Sequence, residues 1–244
     1  MRLLLVSASC LVGAVRLPAA GVGSDVASTV ASTDAFWRGK RVLLAGASSG
    51  LGEALAAELH GRGASLALAA RRADRLTAVA EACARVDSTS APPAVLPMDV
   101  SNSPDLLEAQ AAEAAALLDG PIDVLCYAAG VGQRTLATDT DAAGHQQLMA
   151  TNFEGAVTLT RAVLPSMIER GTGHLIVVSS VQGFFGQPGR SSYAASKVCC
   201  EPTTSVCARF AARSAAAATA RTEMGRRADV LPSISIALFA RRPP

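Results

Sequence analysis

From Gly39 onward the chain alternates two kinds of segment. Short runs of Val, Ile, Leu and Ala (RVLLAGA, SLALAA, AVLPMDV, IDVLCYAAG and HLIVVSS) are separated by longer Ala/Leu/Glu-rich stretches. These longer stretches predict helices to about Arg62, over 73–85, over 103–119 and over about 143–170. Strands alternating with helices predict βαβ units and a parallel sheet. Because the strand runs are continuously apolar, helices are expected on both faces of the sheet. No internal repeat of solenoid period is visible, so the predicted fold class is α/β, a doubly wound parallel sheet in one domain.

Composition supports that picture. The chain has 244 residues, 50% hydrophobic and 17% charged, enough for one sizeable domain with a buried core, which excludes a disordered or collagen-like chain. A net charge of +2 is too small for a phosphate-contact footprint, so no nucleic-acid partner is expected. The positive charge is local: seven Arg and two acids follow Cys207, and the rest is net acidic. The Ala-rich stretch 208–220 reads as a helix with a solvated basic stripe, or as a membrane-surface or partner-binding helix. Cys10, Cys83, Cys126, Cys199, Cys200 and Cys207 form no C-x-x-C pair, and free thiols are expected. His60, His145 and His174 show no ligand spacing, so no metal site is expected.

Residues 1–38 read as a leader. Positions 3–15 are uncharged between Arg2 and Arg16, and a helix of that length would span about 20 Å, short of the roughly 30 Å hydrocarbon core. A signal-like segment with small residues Ala19, Ala20 and Gly21 as a cleavage region fits better than a bilayer span. This points to the endoplasmic reticulum or another membrane-associated site. A mitochondrial or plastid transit peptide and an unstructured leader are the alternatives.

The first strand runs into Gly46-Ala47-Ser48-Ser49-Gly50-Leu51-Gly52 and then at once into a helix. Gly46 permits a tight turn, Gly50 lets the backbone approach a pyrophosphate, and Gly52 lets helix and strand pack closely. The helix N-terminus offers free N–H groups and a positive dipole to the phosphates. Strand before and helix after favour dinucleotide binding over an ordinary glycine-rich turn. The second strand ends at Ala70, followed by Arg71-Arg72. An acid there would accept bonds from the ribose hydroxyls and repel a 2′-phosphate; Ala and two cations favour NADP(H).

Tyr193 and Lys197 stand four residues apart in SSYAASK, on one face of a helix. Chance places some Tyr four residues before some Lys in under about 2% of chains with two of each. A phenol with a pKa near 10 needs about 1.4 kcal/mol of preference for the phenolate per unit of depression, and a neighbouring ammonium supplies it. Ser180, thirteen residues before Tyr193 at the end of the HLIVVSS strand, could hold a carbonyl oxygen.

These positions together resemble a short-chain dehydrogenase/reductase. The match comprises Gly46, Gly50 and Gly52, Asp99 with Val100 after the third strand, Ala129-Gly130 after the fourth, Asn152, Ser180, Tyr193 and Lys197. Within the family, LALAARR, LPSMIERGTGHLIVVSSVQG and RSSYAASK are most similar to the membrane-associated dehydrogenase/reductase member 7-like branch. The resemblance implies an NADP(H)-dependent oxidoreductase domain over 39–244. Tyr193 would be general acid/base, Lys197 would lower its pKa and bind the nicotinamide ribose, Ser180 would orient the carbonyl, and Asn152 would hold a relay water. The implied cofactor site adds Ser48, Ser49, Leu51, Arg71 toward the 2′-phosphate, Arg72, and Asp99 toward adenine. The implied substrate is an apolar carbonyl or alcohol, lipid-, steroid- or retinoid-like, and the implied assembly a homodimer.

The sequence departs from the family twice. Tyr127-Ala128-Ala129-Gly130 replaces Asn-Asn-Ala-Gly. After Lys197, Cys199-Cys200-Glu201-Pro202 intervenes where the family's helix continues, and Pro202 predicts a break there. ARTEM and SISIALF then resemble the end of that helix and the sixth strand, with residues 198–244 divergent and the family's last strand expected to be missing. A catalytically impaired dinucleotide-binding protein is the alternative reading.

Overall fold

The computed structural model describes residues 35–199 and the backbone of the strand at 233–239. Residues 1–34, Pro202 and the basic stretch 208–220 lie outside the described residues, and with them most of the leader expected over 1–38 and the expectations on targeting, helix break and tail helix. The domain takes in Phe36 and Trp37, ahead of the boundary expected at residue 39, because Trp37 is buried in the core.

Among the described residues six strands form one parallel sheet: β1 (Arg41–Ala45), β2 (Ser65–Ala70), β3 (Ala94–Pro97), β4 (Val124–Tyr127), β5 (His174–Ser180) and β6 (Ser233–Phe239). Their spatial order is β3-β2-β1-β4-β5-β6, the doubly wound arrangement expected. The crossovers are α1 (Gly50–Gly61), α2 (Ala73–Val86), α3 (Pro104–Leu117), α4 (Ala142–Met149) and α5 (Gly155–Glu169). A further helix, α6, occupies 191–199.

The continuously apolar strands are explained by two cores, one on each face. Side chains of a strand alternate between faces. Leu43, Ala45, Leu125, Tyr127, Leu175 and Val177 therefore pack with α3 and α5, whereas Val42, Leu44, Val124, Cys126 and Ile176 pack with α1 and α2. Burial pushes the Cys126 thiol up to about 12 and raises that of Cys83 as well. Both behave as apolar filling, and both are free thiols.

The long helix expected over 143–170 is two helices joined by a π-turn at Ala150–Glu154. Such a turn inserts one extra residue and redirects side chains. At the opposite end of the sheet from the strands' carboxyl ends, Asp123 accepts bonds from Arg41 Nε at 3.0 Å and Arg170 Nη1 at 2.8 Å. Burial pushes its carboxyl up, but the hydrogen bonds from Arg41 and Arg170 outweigh that and hold it below the usual range.

Among the described residues no helix is long and apolar enough to cross a membrane.

Candidate active site

The chain winds outward from β1 to β3, then returns to place β4 on the other side of β1. Ligands of such sheets bind at this reversal, beyond the carboxyl ends of the strands. A cleft of about 890 Å³ opens there, lined by the turns after β1, β2, β3, β4 and β5 and by α6.

The glycine-rich turn forms one wall. Gly46 and Gly50 have φ of +87° and +60°, the left-handed region that glycine adopts without penalty. A Cβ on Gly46 would lie 2.4 Å from the backbone nitrogen of Ala129, and one on Gly52 would lie 2.1 Å from the Gly46 carbonyl oxygen. The first position joins the turn after β1 to that after β4; the second seats α1 against its strand. Ser49 at the N-cap makes no side-chain cap, so the first N–H groups of α1 and its positive end face the cleft.

Arg71 and Arg72 follow β2. Arg72 donates to Ser48 Oγ at 3.2 Å and Ser49 Oγ at 3.3 Å, fixing it above the turn. Arg71, 65% exposed, stands 4.0 Å from Asp99 Oδ2. Asp99 Oδ1 accepts from the Ser101 hydroxyl at 2.7 Å and its N–H at 3.0 Å. Burial pushes the Asp99 carboxyl up, but the Ser101 bonds and the Arg71 charge outweigh it and hold it low. Asp99 is therefore an acceptor on the cleft wall, with Val100 beside it.

Ala129 and Gly130 line the opposite wall. Buried Tyr127 donates its hydroxyl to the Thr151 carbonyl at 2.5 Å, reaching across to the π-turn. Asn152, fully buried in that turn, accepts from the Val131 N–H at 2.8 Å and donates to the Val131 carbonyl and to Ser196 Oγ, both at 3.0 Å. Its side chain bridges the loop after β4 to α6.

Helix α6 carries Tyr193 and Lys197 one turn apart, as their spacing predicts. The Lys197 ammonium lies 5.9 Å from the Tyr193 ring centroid and donates to the Val178 carbonyl at 3.0 Å. Ser180 ends β5, and its hydroxyl accepts from the Gln182 N–H at 3.3 Å. Ser180, Tyr193 and Lys197 share the cleft with the glycine-rich turn. Every residue expected at the site except Gly52 and Asn152 lines this cleft, and those two hold its walls.

Sequence reasoning passed over Gln133, Arg134, Arg190 and Ser196. Arg134 and Arg190 line the cleft, and the Arg190 guanidinium carbon lies 5.9 Å from the Tyr193 ring centroid. Gln133 is buried in the loop after β4. Its Oε1 accepts from the N–H groups of Ser192 and Tyr193 at 3.1 and 3.3 Å, and its Nε2 donates to Thr140 Oγ1 at 2.6 Å and Thr135 Oγ1 at 3.2 Å. His145 contacts the Ser192 hydroxyl. No motif announces Gln133; a polar residue three positions past Gly130 was its sole signal.

A parallel sheet in this order, a glycine-rich turn at its reversal and one cleft joining both halves define a Rossmann-type nucleotide-binding protein. The short chain dehydrogenase family profile matches residues 40–222, and the chain belongs to that family of oxidoreductases, which use nicotinamide cofactors. Among similar proteins, dehydrogenase/reductase SDR family member 7B of Danio rerio is 42% identical over 163 residues, covering 65% of this chain and 52% of the relative. Dehydrogenase/reductase SDR family member 7 of Homo sapiens is 38% identical over 174 residues, covering 67% and 50%. The chain thus spans about half the length of the curated relatives it matches. A metagenomic short-chain oxidoreductase solved with NADP has 25% identity and a TM-score of 0.70, covering 84% of this chain and 83% of its own. A short-chain dehydrogenase/reductase from Mycobacterium marinum has 28% identity and a TM-score of 0.67, covering 73% and 72%.

Proposed function

We propose that the protein is an NADP(H)-dependent reductase or dehydrogenase of apolar carbonyl or alcohol compounds, with Tyr193 as its general acid/base. One observation carries this reading: Tyr193, Lys197 and Ser180 share a single cleft with the glycine-rich turn and Arg71. The dinucleotide fits the residues present. The turn is so closely packed at Gly46 and Gly52 that side chains cannot fill it, and the open end of α1 suits a pyrophosphate. Arg71 and Arg72, with Ala70 in place of an acid, suit a 2′-phosphate, and the NADP in the metagenomic neighbour supports that choice. When bound, the nicotinamide ring supplies or accepts hydride.

The chain's own residues handle the proton. Tyr193 gives its phenolic proton to the carbonyl oxygen in reduction and takes it back in oxidation. The Lys197 ammonium, held by the Val178 carbonyl, stands 5.9 Å from the Tyr193 ring centroid beside the reacting phenol. The Ser180 hydroxyl, its oxygen held by the Gln182 N–H, donates to the substrate oxygen and orients it. Val131, Val178 and Val181 line the cleft and offer apolar surface for the body of the substrate.

The test is nucleotide titration with NADPH and NADH, followed by NADPH oxidation against a panel of apolar ketones and aldehydes. The Tyr193→Phe variant is expected to bind NADPH normally and to lose about 10²- to 10⁴-fold in kcat. Full turnover by that variant would overturn the assignment. Binding without any turnover would leave a dinucleotide-binding protein.

A further inference from the structure

We propose that Gln133 is a positioning residue for Tyr193, fastening the N-terminus of α6 so that the phenol sits where proton transfer requires it. This rests on Tyr193 being the acid/base.

A helix N-terminus exposes N–H groups that need acceptors. At α6 the residue ahead of the helix is Arg190, whose side chain only donates. The acceptor comes instead from a residue some sixty positions earlier: Gln133 Oε1 takes the N–H groups of both Ser192 and Tyr193. Its NH₂ group has Thr135 and Thr140 as acceptors, which are themselves joined at 2.7 Å. All four hydrogen-bonding positions of the amide are therefore used, at 6% exposure. A buried amide this fully satisfied fixes one geometry, because any rotation strands a donor or acceptor.

The bonds close a circuit around the acid/base. Tyr193's own N–H is held by Gln133, and its own carbonyl by Ser196 Oγ at 2.8 Å. Ser196 is held by Asn152, and Asn152 by Val131, two residues before Gln133. The backbone of Tyr193 is thus pinned at both ends by side chains tied to the loop after β4 and the π-turn. A displacement of about 1 Å at a reacting group can lower a rate about a hundredfold, so slack at this joint acts on chemistry before it acts on binding.

The test compares Gln133→Met, which keeps the volume and removes the acceptor, with Gln133→Glu, which keeps the acceptor for both N–H groups. Two readouts are used. One is kcat, KM and NADPH Kd on the panel carbonyl the wild type reduces fastest. The other is the rate at which an aryl sulfonyl fluoride sulfonylates Tyr193, followed by mass spectrometry with Tyr193→Phe as blank, which reports the phenol's placement without turnover. Gln133→Met is expected to lower kcat at least about tenfold, with KM and Kd within about threefold. It is also expected to change the labelling rate at least about threefold, and Gln133→Glu to recover both quantities. Wild-type kcat and labelling in Gln133→Met would overturn the inference, as would losses that Gln133→Glu does not recover. If Gln133→Met no longer binds NADPH, Gln133→Asn, which withdraws the amide by one methylene, decides by the same criteria. Turnover retained in Tyr193→Phe would instead reject the acid/base reading, while the labelling rates still judge Gln133.

Discussion

Arg71 and Arg72 are adjacent and chemically identical, yet the fold gives them different work. Arg72 is committed to the hydroxyls of Ser48 and Ser49, so Arg72→Ala is expected to loosen the turn and weaken NADPH and NADH alike. Arg71 is mostly exposed and stands 4.0 Å from Asp99, and in the proposed reading its fork takes the 2′-phosphate. Arg71→Ala should therefore weaken NADPH about ten- to a hundredfold and hardly change NADH, as measured by fluorescence titration. Equal losses for both nucleotides would place the 2′-phosphate elsewhere. Tyr127 offers a second residue-scale check. Phenylalanine there keeps the ring in its core position and removes the bond to the Thr151 carbonyl. Urea unfolding should then report a loss of about 1–3 kcal/mol.

At the scale of elements, the strands, crossover helices and glycine-rich turn were legible because each carries a local signature. SLALAA was expected as a strand and is β2 to the residue; the Tyr193–Lys197 pair was legible from spacing alone. The π-turn was not. Its hydrogen-bond partners lie outside the segment, in Tyr127 and Val131 reaching across from β4 and its loop, and helical periodicity carries no mark of partners so distant. Gln133 was hidden for the same reason, since an N-terminus lacking its own cap does not reveal which loop will provide one. The Asp123 junction also depends on three separate elements, joining β1 and the start of β4 to the end of α5. Its carboxyl is held below its unfolded value, so its contribution is present above the unfolded pKa of about 3.9 and is lost as pH falls through the folded pKa. Urea midpoints measured from pH 7 downward should fall in the acid range, and Asp123→Asn should start lower at pH 7 and lose less on acidification.

For the whole molecule, the cleft belongs to no single half. The turn after β1 and the turn after β4 meet at Gly46 and Ala129 with no room for a side chain. A nucleotide spanning them is expected to bind the folded sheet and not the open chain. At a hundredfold excess over Kd, NADPH should add about 2.7 kcal/mol and raise Tm by about 5 °C or more. Gly46→Val should abolish the shift, because its Cβ would displace the Ala129 backbone. The same joint sets the order of events in time. β1 and β2 pair across a short crossover, whereas the Arg41–Asp123 contact that accompanies the β1–β4 pair links residues 82 apart. Closing so long a loop carries an entropy cost before any contact compensates it, and non-local parallel pairing is slow for that reason. The glycine-rich turn can thus be in place well before its opposite wall arrives. NADPH present during refolding is expected to leave the folding rate unchanged and to slow unfolding, acting as a latch on a finished sheet and not as a template for building it.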